Sequence, residues 1–311
     1  MRTLQFQFEP EPPYDFARMH GRLRGVGHEL YRHDENTLIR AIRVQGQVYL
    51  VLIRSEGETA SPKLTVEAIP HPHNSGPNAE CLAEVGAHLR RMLSIDISLA
   101  GLQEKLGVDD RLALLGRRYE GFRFILESDP FECMVKTIIG QQLNLSFAAT
   151  LTRRLIEKAS SPFEYKGAGY PVFPSPEQIA SLQPEQLREL QFSVRKAEYV
   201  IDFARQVVAG TVSMKPAELA AKTNEQILTE LTPLRGIGRW TVECFLMFGL
   251  GRPDLLPAAD IGLRNALRQL YGLDHQPTEA EVRDLGRDWS PWSSYITYYL
   301  WESLNEKTLF T

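Results

Sequence analysis

LRGIGRWTVECFLMFGLGRPDLLPAAD, residues 234–260, decides how the rest of the chain is read. It holds a Gly-Ile-Gly turn, an apolar helical run, and one acid after a proline-containing turn. NEQILTEL (224–231) supplies a helix before the turn and RWTVECFLMFGL (239–250) a helix after it, so the turn is a hairpin between two helices. Gly236 and Gly238 let the backbone turn tightly and approach another molecule closely. The amides of the turn and of the next helix's first turn lack intrahelical acceptors, so they can bind an anion. A phosphate diester suits such a site and needs no particular base, and Arg239 stands at its entry. A plain helical hairpin, with glycine only permitting the turn, explains the same residues. Trp240 is either packing or an aromatic wall, and Cys244, among Val242, Phe245, Leu246 and Phe248, reads as an inert core residue.

Asp260 follows Pro257 and precedes IGLRNALRQLYG, a helix, so it occupies an N-cap position. A second reading starts from the hairpin. A carboxylate beside a bound DNA backbone is repelled unless positive charge develops nearby. Cleaving an N-glycosidic bond creates that charge, because the sugar gains oxocarbenium character, which an ionised Asp260 would stabilise while orienting water. The residues alone leave cap and catalyst both open.

Outward from this stretch the pattern changes once. TLQFQF (3–8) alternates, TLIRAIRV (37–44) and QVYLVLI (47–53) flank Gly46 as a hairpin, and KLTVEAI (63–69) adds a strand. HPHNSGPN (71–78) is a turn-rich break, and CLAEVGAHLRRMLSI (81–95) takes helical spacing. Residues 129–159 predict two helices broken near Gly140–Leu143, and 160–176 reads as a loop. Helices follow at 177–189, 195–209, 216–221, 224–231 and 261–271, with a C-terminal helical segment over 279–304. The expected class is α+β: a mainly antiparallel β domain with a helical connection over 1–110, then a two-lobed all-helical body over 111–311 with its hairpin at 232–240. LRGVG at 23–27 nearly copies LRGIG at 234–238, but HELYRHDENT after it carries no sustained helix, so the early copy is expected to be a plain loop.

Composition narrows the class. The 311 residues are 43% hydrophobic and 24% charged, with a net charge of -4, which argues against coating nucleic acid by bulk attraction but permits local phosphate contacts. No window reads as a membrane span or a secretory signal, and Cys81, Cys133 and Cys244 form no disulfide framework or metal-spaced cluster. A cytoplasmic monomer is expected. Histidines 71 and 73 flank Pro72 in a turn and have no companion ligands. Lys196 reads either as a contact to the DNA backbone or as a solvated or internally paired lysine. Arg264 and Arg268 share a helix face, and Trp289, Trp292, Tyr295, Tyr298 and Tyr299 read first as core packing.

PPYD (12–15), IIGQQLNLSFAA (138–149), FSVRKAEYV (192–200), LRGIGRWTVE (234–243), LPAAD (256–260) and WSPWSSYITYYLW (289–301) occur in an order that resembles the helix–hairpin–helix, Gly/Pro…Asp superfamily of DNA glycosylases, particularly its bacterial DNA-3-methyladenine glycosylase II branch. The resemblance implies that Asp260 is the catalytic aspartate, and that Trp240 and Trp301 line the base pocket. It implies that Gln142, or the adjacent Leu143, enters the duplex, and that Gly236, Gly238 and Arg239 meet the DNA. It also implies that the carbonyls of Thr232, Leu234 and Ile237 hold a structural Na or K ion. Four positions depart from the pattern: Ala259 replaces an acid, Arg22 and Cys244 fall where aromatics are found, and WSPWSSY lacks an arginine.

Bifunctional relatives carry a Schiff-base lysine where this chain has Trp240, and no lysine lies in 234–260. Three scattered cysteines cannot build the four-cysteine iron–sulfur cluster of other branches. The resemblance thus implies a monofunctional hydrolase that needs no cofactor for catalysis. Its partner would be duplex DNA containing alkylated purines such as 3-methyladenine, the first step of base excision repair. Two rivals stand beside it: a glycosylase for deaminated bases, and a damaged-DNA-binding module in which Asp260 is only a cap.

Overall fold

The computed structural model describes residues 3–25, 28–74 and 79–306. The chain opens with β1 (Leu4–Phe8), α1 (Phe16–Gly25), β2 (Tyr31–Asp34), β3 (Thr37–Val44), β4 (Gln47–Ser55) and β5 (Leu64–Pro70). These strands make one antiparallel sheet in the order β1-β5-β4-β3-β2. Val44 pairs with Gln47 across a two-residue turn in which Gln45 and Gly46 have φ of 48° and 76°, the double left-handed geometry that matches strand twist. Two elements here have no counterpart in the sequence expectations. α1 takes up Leu23–Gly25 of the early glycine copy, which is therefore not a plain loop; Val26 and Gly27 lie outside the described residues. β2 is a four-residue polar edge strand, too short to show alternation.

The helices that follow are α2 (Ala79–Met92), α3 (Ala100–Leu106), α4 (Asp110–Arg118), α5 (Pro130–Gly140) and α6 (Leu145–Ala159). Asp129 caps α5, with Pro130 in its first turn, and Asn144 caps α6, so the break expected near Gly140–Leu143 is a true helix boundary. Next come β6 (Phe163–Tyr165) and β7 (Ala168–Tyr170), a hairpin where composition had suggested a loop. Its left-handed Lys166–Gly167 turn is a hairpin signal, and its apolar residues have a job. Phe163 and Val172 pack against Ile39, Ala41 and Leu50, covering the second face of the sheet and explaining why β3 is buried on both sides.

The remaining elements are α7 (Pro176–Ala180), α8 (Pro184–Arg188), α9 (Val194–Val208), α10 (Pro216–Ala220), α11 (Asn224–Leu231), α12 (Arg239–Phe248), α13 (Ile261–Tyr271), α14 (Glu279–Leu285) and α15 (Ser293–Ser303). The single helix expected over 177–189 is two short ones, and the C-terminal segment splits in two around Pro291. The fold is α+β, as the sequence predicts. One continuous cluster of buried side chains runs from Leu4 to Leu300, and it takes in Tyr295, Tyr298, Tyr299 and Trp289 as core. α12 is buried from Thr241 to Met247, which makes it a fixed post for the hairpin at its N-terminus. Among the described residues, no helix is long and apolar enough to cross a membrane.

Sheet and helices also meet through buried charge. Arg40 on β3 donates to Glu132 on α5 and lies 3.5 Å from Glu127, while Lys136 reaches Glu127 at 2.6 Å and Glu29 at 2.9 Å. Burial works against the charge on Glu127, but Lys136 and His28 outweigh it and hold that carboxyl well below the usual range. Burial pushes Glu132 up to about 8, against the pull of Arg40. Between the ordinary 4.5 and about 8, the folded protein keeps a proton on Glu132 that the unfolded chain has released. That contribution is full below the unfolded value and is lost as pH rises through the folded one. Glu132→Gln should therefore flatten the fall in stability across this window, as read from urea midpoints. An unchanged slope would contradict the assignment.

Candidate active site

The hairpin is built from α11, whose Thr223 and Gln226 form a reciprocal cap, and from α12. Leu234 N–H donates to Leu231 O at 3.1 Å and Ile237 N–H to Leu234 O at 3.0 Å, which closes the turn. The two glycines differ. Gly236 has φ 82°, and a Cβ there would lie 2.2 Å from the ring of Tyr199 on α9, so both conformation and packing demand glycine. Gly238 is extended (φ -93°, ψ 172°) with nothing within 4 Å of where its Cβ would stand. The turn conformation itself thus demands glycine at 236 and not at 238. Gly238 is left facing open space, at the start of a helix with no side-chain cap. The first-turn amides of α12 are accordingly open to an anion. Arg239 is largely exposed beside them and donates through Nε to Glu243 at 2.9 Å.

Asp260 caps α13: its Oδ1 accepts from Leu263 N–H at 2.7 Å. It does more than cap. Trp301 Nε1 donates to the same oxygen at 2.7 Å, and Trp240 Nε1 donates to Oδ2 at 2.9 Å. Residues from α12, α13 and α15 thereby converge on one half-buried carboxylate, and all three contacts use it as an acceptor, the role of an ionised acid. Trp301 stacks on Phe248 with ring centroids 5.8 Å apart. Gly262 makes room, since a Cβ there would sit 3.0 Å from Asp260 Oδ1 and 3.1 Å from the Trp301 ring. Cys244 is buried and its thiol is pushed well up by that burial, which fits an inert core residue. Ala259 is exposed next to the acid. Arg22 pairs with Glu302 and lies over Tyr298, 4.8 Å from the ring centroid, on the helix that carries Trp301.

The 141–144 loop joins α5 to α6 beside the hairpin. Gln142 is exposed with a left-handed φ of 56°, whereas Leu143 packs against the core. Gln141, which sequence reasoning passed over, donates through Nε2 to Gly236 O at 2.7 Å and to Thr241 Oγ1 at 2.8 Å. Lys196 is internally bonded, Arg264 donates to Pro277 O and Arg268 to Leu273 O. Phe248 and Tyr199 were also missed: Phe248 sits in an apolar helical run, Tyr199 among the charged residues of α9, and nothing in either stretch marks the aromatic. His71 packs against Phe163, and among the described residues no group of three or more His, Cys, Asp or Glu could hold a metal.

An anion-ready hairpin beside a carboxylate bracketed by indoles is the arrangement of a protein that acts on DNA bases. The profile of the HhH-GPD superfamily of base excision DNA repair proteins matches residues 135–291, and the chain belongs to that superfamily. YfjP of Bacillus subtilis, named provisionally as a DNA-3-methyladenine glycosylase, is 36% identical over 294 residues, covering 94% of this chain and 96% of its own. The 3-methyladenine DNA-glycosylase of Archaeoglobus fulgidus superposes with a TM-score of 0.82 at 25% identity, over 97% of this chain and 99% of that one. Mag1 of Schizosaccharomyces pombe, a 3-methyladenine DNA glycosylase solved with abasic DNA, gives 0.58 at 29% identity over 68% of this chain and 100% of that one. Glycosylase action in base excision repair is the function this chain shares with them.

Proposed function

We propose that the chain is a monofunctional DNA glycosylase, working as a cytoplasmic monomer, that hydrolyses the N-glycosidic bond of flipped-out alkylated purines in duplex DNA and leaves an intact abasic site. The observation that carries this reading is Asp260, held by three N–H donors between the indoles of Trp240 and Trp301. A purine alkylated at N3 or N7 is cationic and leaves as a neutral base, so it needs little acid assistance. What it needs is a cation-tolerant aromatic wall, which the indole faces provide, and a fixed negative charge near the sugar, which Asp260 provides. As the bond lengthens, positive charge on the sugar is met by Asp260, and water adds to the carbon the base has left, giving up its proton to Asp260 or to solvent. The lesion also pairs and stacks less well, which lowers the cost of flipping it. The names of the relatives, 3-methyladenine glycosylases in bacteria, archaea and yeast, support the same substrate class.

Absence of lyase chemistry rests on the residue types: no lysine occurs between 234 and 260 to form a Schiff base. The hairpin carbonyls suit a monovalent cation. Those of Thr232, Leu234 and Ile237 are neutral oxygens, and Leu234 O keeps a lone pair after accepting from Ile237 N–H. A bound Na or K ion would add positive charge beside the phosphate.

Release of methylated purines from methylated duplex DNA tests the activity, with strand scission expected only after alkali. Nicking before alkali would overturn the monofunctional reading, and no base release would overturn the enzyme. In a panel of 3-methyladenine, 7-methylguanine, 1-methyladenine, hypoxanthine and uracil, the cationic purines should lead. A hypoxanthine or uracil rate above every alkylated base, corrected for uncatalysed loss, would assign the site to deaminated bases instead.

A further inference from the structure

We propose that Lys196 and Gln141 are positioning residues that lock the 141–144 loop to the phosphate-binding hairpin, so that gripping the backbone and filling the gap left by the extruded nucleotide are one event. This rests on the reading of that loop as the part that enters the duplex. The Lys196 ammonium donates to Ile138 O at 3.1 Å, Ile139 O at 2.8 Å and Gln141 O at 2.9 Å. All three of its donors are thus spent on carbonyls at and just past the end of α5, where, among the described residues, the only other backbone contact to them is Gln141 N–H on Ile138 O at 3.4 Å. Its neighbour Glu198 is engaged with Arg235, and Asp202 lies on the same arginine. The ammonium is therefore met by backbone dipoles and the negative end of α5, and by no carboxylate among the described residues that its contacts show. Burial lowers it to about 8, while the carbonyls favour its charged form.

α5 gives this lysine a reason to be there. Helices commonly close on a left-handed glycine, but the residue after α5, Gln141, is extended (φ -53°, ψ 127°) and the left-handed position falls on Gln142. A side chain held at φ 56° costs energy and persists only when its surroundings enforce it. Two ties from outside do so: Lys196 on the carbonyls, and the Gln141 amide on Gly236 O and Thr241 Oγ1. α9 supplies a third link. Lys196 holds the loop, and one turn later Tyr199 packs on Gly236, so one helix indexes both DNA-facing parts.

The test compares single-turnover excision of one alkylated purine from a fully paired duplex with excision from a duplex that places it opposite an abasic analogue, where extrusion costs less. Lys196→Met is expected to slow the paired substrate by about 10- to 100-fold, the scale of a small misplacement, and to slow the unpaired one much less. Lys196→Arg should restore most of the difference, and 2-aminopurine beside the lesion should report weaker unstacking in Lys196→Met alone. Equal losses on both substrates, or none on either, would overturn the proposal. Gln141→Leu carries the same comparison if Lys196→Met lowers the unfolding midpoint. Gln142→Ala and Leu143→Ala, each alone, separate the two ideas: if both leave the paired substrate unaffected, the reading of the loop fails, independently of what Lys196 does.

Discussion

Asp260→Asn is expected to bind lesion-containing duplex at least as tightly as the wild type and to excise the base at least about 10²-fold more slowly, the scale of losing a major transition-state contact. Asparagine is as good an N-cap as aspartate, so Leu263 N–H keeps its acceptor and α13 keeps its start. Trp301 can still donate to the remaining oxygen. What changes is the charge facing the sugar, together with the contact to Trp240, whose N–H would then face an amide N–H. A small shift in unfolding midpoint with a large rate loss is therefore the signature of a catalytic carboxylate. Unchanged excision would remove Asp260 from catalysis, and a collapse in stability would make its charge and its indole contacts chiefly structural. Asp260→Ala discriminates less well, because it deletes the cap as well, at about 1 kcal/mol.

Gly236→Ala is expected to weaken binding to any duplex, damaged or not, by about tenfold or more. The added carbon would lie 2.2 Å from the Tyr199 ring on a backbone at φ 82°, so the hairpin or α9 must move. Strain at such a position is on the order of 1–3 kcal/mol, and each 1.4 kcal/mol is a factor of ten in affinity. Gly238→Ala is the paired control. Its backbone is extended and its surroundings are open, so folding should be unaffected. If it nevertheless loses affinity, the glycine at 238 serves the approach of the DNA backbone. Anisotropy titrations with undamaged duplex and unfolding midpoints, measured on both variants, separate the two. Equal behaviour of the two glycines in both measurements would refute the distinction.

Patterning exposed the sheet because β1 and β5 alternate and β3 and β4 are apolar runs flanking a Gln-Gly turn, and it exposed the α5–α6 break because a glycine, two glutamines and a capping asparagine interrupt the helical spacing. It failed where an element is short. β6 and β7 have three residues each, and their aromatic residues matter only once the second sheet face needs covering. The candidate site was legible residue by residue but not as a unit. Asp260 is visible as a cap, yet nothing local says that indoles 20 positions before it and 41 after it donate to its two oxygens. Gln141 and Gln142 look alike in a sequence. Backbone geometry sends one into the hairpin and leaves the other exposed.

Two of the four tryptophans in the chain donate to one carboxylate, and this makes the site self-reporting. Trp289 is buried and Trp292 packs against the core, and neither donates to Asp260, so both contribute a background to that signal. Any base that slides against Trp240 or Trp301, and any change in the charge those N–H groups see, must register in the ultraviolet emission of the unlabelled protein. Occupancy can thus be followed in real time on natural DNA without a fluorophore on either partner. Single replacements of Trp240 and Trp301 by phenylalanine would then divide the signal between the two walls.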